Sequence, residues 1–321
     1  MASFGALGQG DGFILRKYGW SVLGLLVVAV SVWLLYKELR GLSLDELGES
    51  FAAIPMSHWC LAVMCSIAAY GALAGYDALA LDYLRRRVNW CFIALTSFTT
   101  YALSHNLGAS VVSGSVIRYR AYSSKGLSGI EIGQLVAFCS FTFAFGTILL
   151  SGITLLIEPS LGERFIHGLS REAARAVGLF ILLLVAAYVY GSWKNFRPWS
   201  IGPVKIAYPG LRTVALQLII GPIELIAAAG IIYFALPHAG NPGFFTILGI
   251  FLMSFSAALL STAPGGLGVL ELVFVNGLPE METSDVLAAL IVFRVLYLLI
   301  PFALSLILVL VFEKRSWRKT D

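Results

Sequence analysis

Eight polar or charged side chains stand out because each lies in, or at the edge of, an otherwise apolar stretch. They are Asp77, His105, Asn106, Arg118, Arg120, Glu224, Glu271 and Arg294. An ionisable group at membrane depth is costly, and it therefore marks a functional-site hypothesis. A guanidinium group can bind a phosphate through two hydrogen bonds, and a carboxylate can bind a cationic group. We predict a substrate-binding set of Asp77, Asn106, Arg118, Glu224, Glu271 and Arg294.

These residues also have plainer explanations. Arg294 and Glu271 can neutralise each other as a structural ion pair. Asp77 can pair with the arginines at 85–87, and Arg118 can be a surface charge that sets orientation or attracts anionic lipid. The sequence contains no P-loop, dinucleotide fingerprint, zinc-spaced cysteines or catalytic serine motif. We therefore predict no catalytic residue, no cofactor, no metal and no nucleic-acid partner.

Two apolar segments, 104–117 and 261–271, are interrupted by glycine. The residues that break them are Gly108, Gly114, Pro264, Gly265, Gly266 and Gly268. Proline removes a backbone donor and glycine permits unusual dihedral angles. Inside hydrocarbon such backbone is tolerated only where protein buries it or where it lines a cavity. We predict that both breaks belong to the site; the alternative is a notch of small residues for helix packing.

The elements that position these residues are predicted to be membrane-spanning helices. Of the 321 residues, 59% are hydrophobic and 12% are charged, about half the charged fraction of a soluble domain. Long apolar runs predict full spans near 18–36, 59–80, 130–157, 176–190, 213–236 and 286–312. The runs 91–117 and 244–275 are predicted as re-entrant hairpins. The predicted fold class is an all-α integral membrane protein with about six full spans and two glycine-rich re-entrant hairpins.

The distribution of basic residues predicts the orientation of the chain. We place both termini in the cytoplasm and let both hairpins return to the side from which they enter. The cytoplasmic side then holds 16 of the 22 lysines and arginines and the outside holds 5, with Arg294 in the membrane. Each half of the chain is predicted to contain two membrane spans, then a re-entrant hairpin, then a third span. We predict one membrane domain over 1–321, with half-repeats at 14–157 and 173–313 in inverted topology, an arrangement typical of transporters.

The glycine-rich segments also carry a family resemblance. Ala-Pro-Gly-Gly-Leu-Gly-Val-Leu-Glu at 263–271 and Ser-His-Asn-Leu-Gly-Ala-Ser at 104–110 resemble the motifs of the lysylphosphatidylglycerol synthase transmembrane region. This is the flippase domain of multiple peptide resistance factors, and it also occurs in stand-alone membrane proteins. The likeness covers nearly the whole chain, although Ser113-Gly114 stands where the family has a double glycine.

The resemblance implies transfer of lysyl-phosphatidylglycerol or a related phospholipid between leaflets of the bacterial cytoplasmic (inner) membrane, in the context of antimicrobial peptide resistance. Phospholipid is the expected partner, and a homo-oligomer or an aminoacyl-lipid synthase partner stays open. The soluble transferase domain of longer family members is expected to be absent, so no enzymatic activity is predicted. Two alternatives remain: a transporter of another solute or polyprenyl-linked lipid, and a non-transporting scaffold whose charges form closed salt bridges.

Overall fold

A computed structural model describes residues 44–107, 110–166, 168–194, 199–201, 204–206, 208–261 and 266–317. Within these ranges the chain is mostly α-helical, and six helical stretches are long and apolar enough to cross a membrane. They are Met56–Tyr83, Gly129–Ile157, Arg171–Trp193, Leu211–Ala235, Phe244–Ser261 and Thr283–Val309. The predicted class of an all-α integral membrane protein is confirmed.

The helices are numbered here in chain order. They are α1 (Leu44–Ala52), α2 (Met56–Tyr83), α3 (Trp90–Leu107), α4 (Ser110–Ser123), α5 (Gly129–Ile157), α6 (Ser160–Phe165), α7 (Arg171–Trp193), α8 (Leu211–Ala235), α9 (Phe244–Ser261), α10 (Val269–Gly277), α11 (Thr283–Phe293), a π-helix (Arg294–Leu299) and α12 (Ile300–Trp317). Two short antiparallel strands, β1 (Trp199–Ile201) and β2 (Val204–Ile206), lie between α7 and α8.

Five of the six long apolar stretches coincide with predicted spans. The sixth is α9, the first arm of the predicted second hairpin, which is long enough at 18 residues to cross by itself. The predicted first span, 18–36, lies outside the described residues. Within the described residues the structure therefore has six such stretches where five full spans were predicted, and the additional one is α9.

α3 and α4 pack against each other as antiparallel arms of a helical hairpin. A Cβ atom built on Gly114 of α4 would lie 3.2 Å from Cγ2 of Thr100 on α3. At the open end of the hairpin, the Lys125 ammonium group lies 4.6 Å from the ring centroid of Phe92. Gly114 lies inside a regular helix, so its prediction as a helix-breaking residue is wrong: it allows close packing. Gly108 lies outside the described residues.

α9 and α10 form a second helical hairpin. A Cβ atom on Gly277, at the end of α10, would lie 3.2 Å from Cδ1 of Ile250 in the first half of α9. In the turn, Gly266 and Gly268 have φ angles of +65° and +80°, a conformation that glycine adopts without steric cost. These two residues have the unusual backbone predicted for them. Pro264 and Gly265 lie outside the described residues.

Helix α8 crosses α5 at the centre of the bundle with no side chain between the two backbones. A Cβ atom built on Gly146 of α5 would lie 2.8 Å from the carbonyl carbon of Gly221 on α8. Beside this crossing, Nε2 of Gln217 donates to Oγ1 of Thr142 at 3.0 Å. Small residues and interhelical amide hydrogen bonds are typical of close helix contacts in membranes.

Candidate functional site

The first charged pair joins the second hairpin to the π-helix. Nε of Arg294 donates to Oε1 of Glu271 at 2.7 Å. The other carboxylate oxygen, Oε2, accepts from the backbone N–H of Gly268 at 2.9 Å, so Glu271 also caps the first turn of α10. The Arg294 side chain is 14% exposed and that of Glu271 is 9% exposed. The predicted alternative of an Arg294–Glu271 ion pair is confirmed, and part of this pair reaches the protein surface.

Arg294 begins a π-helix whose carbonyl groups are bonded by side chains of other helices. Pro301 lies seven residues after Arg294 and has no N–H. The N–H of a residue at that position would bond the carbonyl of Tyr297 in an α-helix, or that of Leu296 in a π-helix. The hydroxyl of Tyr70 donates to the Tyr297 carbonyl at 2.9 Å, and the hydroxyl of Ser66 donates to the Leu296 carbonyl at 2.7 Å.

The next carbonyl of the π-helix is bonded from the first hairpin. Nδ2 of Asn106, at the end of α3, donates to the carbonyl of Leu298 at 3.1 Å and to that of Ala102 at 2.8 Å. Asn106 therefore holds the inner end of α3 against the π-helix in this structure. Its predicted contact with substrate stays a prediction.

Glu224 lies in the middle of α8 and is buried among hydroxyl groups. The hydroxyl of Tyr297 donates to Oε1 of Glu224 at 2.6 Å, and that of Tyr76 donates to Oε2 at 3.4 Å. Only 1% of the residue is exposed. Among the described residues no arginine, lysine or histidine forms a salt bridge with it. Glu224 thus differs from the other buried carboxylates of the predicted set, Asp77 and Glu271, which each have an arginine partner.

The second charged pair holds the first hairpin to α2. Nη2 of Arg118 donates to Oδ1 of Asp77 at 2.7 Å, and the hydroxyl of Tyr122 donates to Oδ2 at 2.8 Å. The guanidinium carbon also lies 4.7 Å from the ring centroid of Tyr101. The Asp77 side chain is 0% exposed and that of Arg118 is 5% exposed. This pair is shielded from solvent, and neither residue can contact a ligand unless the two first separate.

The arginine cluster at 85–87 was the alternative partner of Asp77, but its middle member forms an ion pair with another residue. Nε of Arg86 donates to Oε1 of Glu131 at 2.7 Å, and Glu131 also accepts hydrogen bonds from the backbone N–H and hydroxyl of Ser128 at the start of α5. The alternative that placed Asp77 against this cluster is therefore wrong. Arg118 is likewise buried rather than a surface charge.

His105 packs among aromatic rings beside the site. Its ring stacks on Tyr297 with centroids 5.5 Å apart, and it also lies 6.1 Å from Phe255 of α9. Nδ1 of His105 is buried without a hydrogen-bond partner. Within the described residues, no group of three or more histidine, cysteine or carboxylate side chains could hold a metal ion.

The side-chain hydroxyls that donate hydrogen bonds at the site were not predicted from the sequence. Ser66, Tyr70, Tyr76, Tyr122 and Tyr297 bond either a predicted carboxylate or the π-helix. In the sequence they look like ordinary members of apolar runs. The one available signal was Pro301 within a predicted span, because a proline there leaves a carbonyl four or five residues earlier in need of another donor.

The described helices, with Asp77, Arg118, Glu271 and Arg294 in ion pairs and Glu224 hydrogen-bonded among them, define a multi-pass helical membrane protein. No protein-family model matches the chain. An uncharacterised protein of Synechocystis is 30% identical over 309 residues, which is 95% of each chain. The inner membrane protein YbhN of Escherichia coli is 31% identical over 258 residues, or 79% of each chain. The phosphatidylglycerol lysyltransferase of Staphylococcus haemolyticus is 25% identical over 304 residues, covering 92% of this chain and 34% of that protein.

These matches identify the family that the motifs resembled. The chain belongs to the family of membrane proteins that contains YbhN and the membrane part of the phosphatidylglycerol lysyltransferases. It spans about a third of the length of those lysyltransferases.

Proposed function

We propose that this protein moves a phospholipid with a charged headgroup, aminoacylated phosphatidylglycerol or a related lipid, between the leaflets of a bacterial cytoplasmic membrane. The observation that carries the proposal is the Arg294–Glu271 pair, which joins two interruptions of regular helix and is partly exposed. Sequence similarity also supports the proposal, because proteins named phosphatidylglycerol lysyltransferase align with most of this chain.

In the proposed mechanism the pair exchanges its internal partner for the lipid. The Arg294 guanidinium group binds the lipid phosphate through parallel hydrogen bonds, and Glu271 binds the ammonium group of the aminoacyl moiety. A headgroup that carries both charges satisfies both side chains as they separate, so neither is left buried and unpaired. Asp77 and Arg118 would likewise contact the substrate only in a conformation in which their buried ion pair has separated.

The proposal includes the re-entrant arrangement of the two hairpins. Arg86 and Glu131 tie the ends of α2 and α5 together beside the open end of the first hairpin. At the opposite end of the bundle, Arg164 of α6 donates to Glu280, which follows the second hairpin, and to the carbonyl of Gly277, the last residue of that hairpin. We place the first of these ends in the cytoplasm, together with both chain termini, because the basic residues concentrate there.

The proposed inverted half-repeats have support in the packing. Helix α2 packs against α8, its counterpart in the second half, and the hairpin arm α3 packs against α12 as the arm α9 packs against α5. Each hairpin thus packs against the last span of the other half. We propose that the chain acts as one transport domain of this kind and has no catalytic activity of its own, with any aminoacyl-lipid synthesis left to a partner.

A reconstitution experiment tests the proposal. Purified protein is placed in liposomes that carry fluorescent lysyl-phosphatidylglycerol or fluorescent phosphatidylglycerol, and movement between leaflets is followed by quenching from outside. We expect faster movement of the aminoacylated lipid than of the plain one. In Arg294→Ala and Glu271→Gln it should be about 10- to 100-fold slower, the loss expected from one charge-assisted hydrogen bond.

The matched control is Arg86→Ala, which removes an arginine from an exposed ion pair outside the site and should leave transfer unchanged. All variants are checked for a native melting profile before reconstitution. Wild-type rates in folded Arg294→Ala, or no movement of either lipid by the wild type, would refute the proposal. The second result would favour another substrate or a non-transporting scaffold.

A further inference from the structure

Glu224 is the feature of the interior that lipid binding alone leaves unexplained. A buried carboxylate without a cation is among the most costly arrangements in a protein. Its stabilising neighbours are the hydroxyls of Tyr297 and Tyr76, and the ring of Tyr70 is packed on Tyr297 at 5.6 Å between centroids. The environment resembles that of a group which exchanges a proton, since both protonation states can form hydrogen bonds with the hydroxyls.

The other helices that the structure describes around α8 bring no opposing charge to this depth. The charged residue of α5 is Glu131 at its first turn, and that of α11 is Asp285 at its first turn; α9 has none. The charges of α7 lie in its first turns. Helix α2 carries Asp77, which is paired with Arg118, and also has His58 in its first turn and Asp82 in its last. His105 contacts Tyr297 through its ring and does not bond Glu224. In the described part of the chain, the titratable side chains that bond Glu224 are therefore tyrosines.

The π-helix connects Glu224 to the charged pair of the second hairpin. Tyr297 bonds Glu224 through its hydroxyl, and Arg294, three residues earlier in the same π-helix, bonds Glu271. π-helical segments occur frequently at functional sites. Here the segment is held by side-chain donors on α2 and α3. A change in the strength of the Tyr297–Glu224 bond therefore acts on the segment that positions Arg294.

We propose that Glu224 is a proton-binding site, and that proton binding there controls the Arg294–Glu271 pair through the π-helix Arg294–Leu299. One proton from water binds to a carboxylate oxygen and is released again to water; no other bond forms or breaks. Deprotonated Glu224 accepts a charge-assisted bond from the Tyr297 hydroxyl and holds the π-helix. Protonated Glu224 accepts a weaker bond and frees it. The inference rests on the proposed function for its link to lipid, because that link runs through Arg294.

The proton site itself is tested by infrared spectroscopy without any transport. Wild-type protein in phosphatidylglycerol nanodiscs is titrated with pH, and the carbonyl stretch of protonated carboxylic acids is followed by difference spectra. We expect a titrating band that is lost in Glu224→Gln and kept in Glu271→Gln, the matched control at the other buried glutamate. A spectrum of Glu224→Gln that is identical to wild type across the whole titration would overturn the proton site.

The coupling is tested by hydrogen exchange of the backbone between 295 and 303, corrected for the intrinsic effect of pH. In the wild type we expect exchange to become about tenfold faster on protonation, the difference between a charge-assisted and a neutral hydrogen bond. In Tyr297→Phe the infrared band of Glu224 should remain, while exchange of the segment no longer follows that titration. Exchange in the wild type that does not change across the titration would overturn the coupling.

These measurements separate the two proposals. If the band titrates and no lipid moves, the proton site stands and the proposed lipid transfer falls. If lipid moves with the same pH dependence in the wild type and in Glu224→Gln, the transfer stands and the proposed control of the Arg294–Glu271 pair by Glu224 falls. Lipid transfer whose pH dependence is lost in Glu224→Gln supports both.

Discussion

The hydroxyl of Tyr70 is predicted to matter far more than an ordinary interhelical hydrogen bond. It donates to the carbonyl of Tyr297, which an N–H at position 301 would bond with α-helical spacing and which lacks that donor because residue 301 is proline. Interhelical hydrogen bonds in membrane proteins contribute on average about 0.6 kcal/mol, because the unfolded state finds other partners. A buried carbonyl left without a donor instead costs about 1–3 kcal/mol. We expect Tyr70→Phe to lower the free energy of unfolding by an amount in this higher range.

Equilibrium unfolding in mixed detergent micelles measures the effect. The matched control is Tyr208→Phe, because the Tyr208 hydroxyl donates at 2.9 Å to the carbonyl of Tyr188 in the interior of the regular helix α7. That carbonyl keeps its helical environment when the hydroxyl is removed, so the control should cost about 0.6 kcal/mol or less.

A double-mutant cycle with Pro301→Ala isolates the cause. Alanine restores an N–H to the helix, so Tyr70→Phe should cost little in that background, and the coupling between the two sites should be about 1 kcal/mol or more. Two results would refute the reasoning. One is a cost of Tyr70→Phe no larger than that of Tyr208→Phe, and the other is an equal cost with and without the proline.

Two further predictions concern ion pairs of different burial. Asp77→Asn should destabilise the protein by about 3–5 kcal/mol because it leaves the buried Arg118 charge uncompensated. The double variant Asp77→Leu with Arg118→Met should recover most of this stability in melting experiments. A double variant no more stable than Asp77→Asn would contradict this explanation. Glu280, outside the spans, has its pKa lowered chiefly by its hydrogen bonds from Arg164. The Arg164–Glu280 pair should therefore contribute its full stabilisation at pH values above the pKa that Glu280 has in the unfolded state. This stabilisation should be lost as the pH falls through the lower pKa of Glu280 in the folded state. Stability measured against pH should show this acid-side loss in the wild type and not in Arg164→Gln; equal curves would contradict it.

The sequence was most informative about which polar residues matter. Burying a charge in hydrocarbon is costly wherever it occurs, so Asp77, Glu224, Glu271 and Arg294 could be selected from their apolar surroundings alone. The Arg294–Glu271 pairing was open to prediction because the two residues lie in consecutive predicted elements. The pairing of Asp77 with Arg118 was not, since it depends on how the first hairpin docks on α2, and a nearer arginine cluster competed for the same carboxylate.

The remaining part of the site depends on three-dimensional packing. Tyrosines in apolar runs fill cores and donate hydrogen bonds with equal ease, so the sequence does not tell which of them face Glu224. The π-helix depends on Pro301 together with donors from α2 and α3, which come from distant parts of the chain. Gly114 shows the opposite error: a glycine that looked like a break lies in a regular helix, where its lack of a side chain allows Thr100 to pack closely.

The glycine contact between α5 and α8 has a mechanical consequence for any rocking motion of the bundle. Gly146 and Gly221 touch backbone to backbone, so no side chain there has to change rotamer when the two helices turn about the point of contact. Sliding along the axis is different, because it would drive neighbouring side chains into the opposing backbone. The crossing can therefore act as a fulcrum. A small rotation at this point is multiplied along each helix into a larger displacement at its ends, where the loops meet the membrane surface.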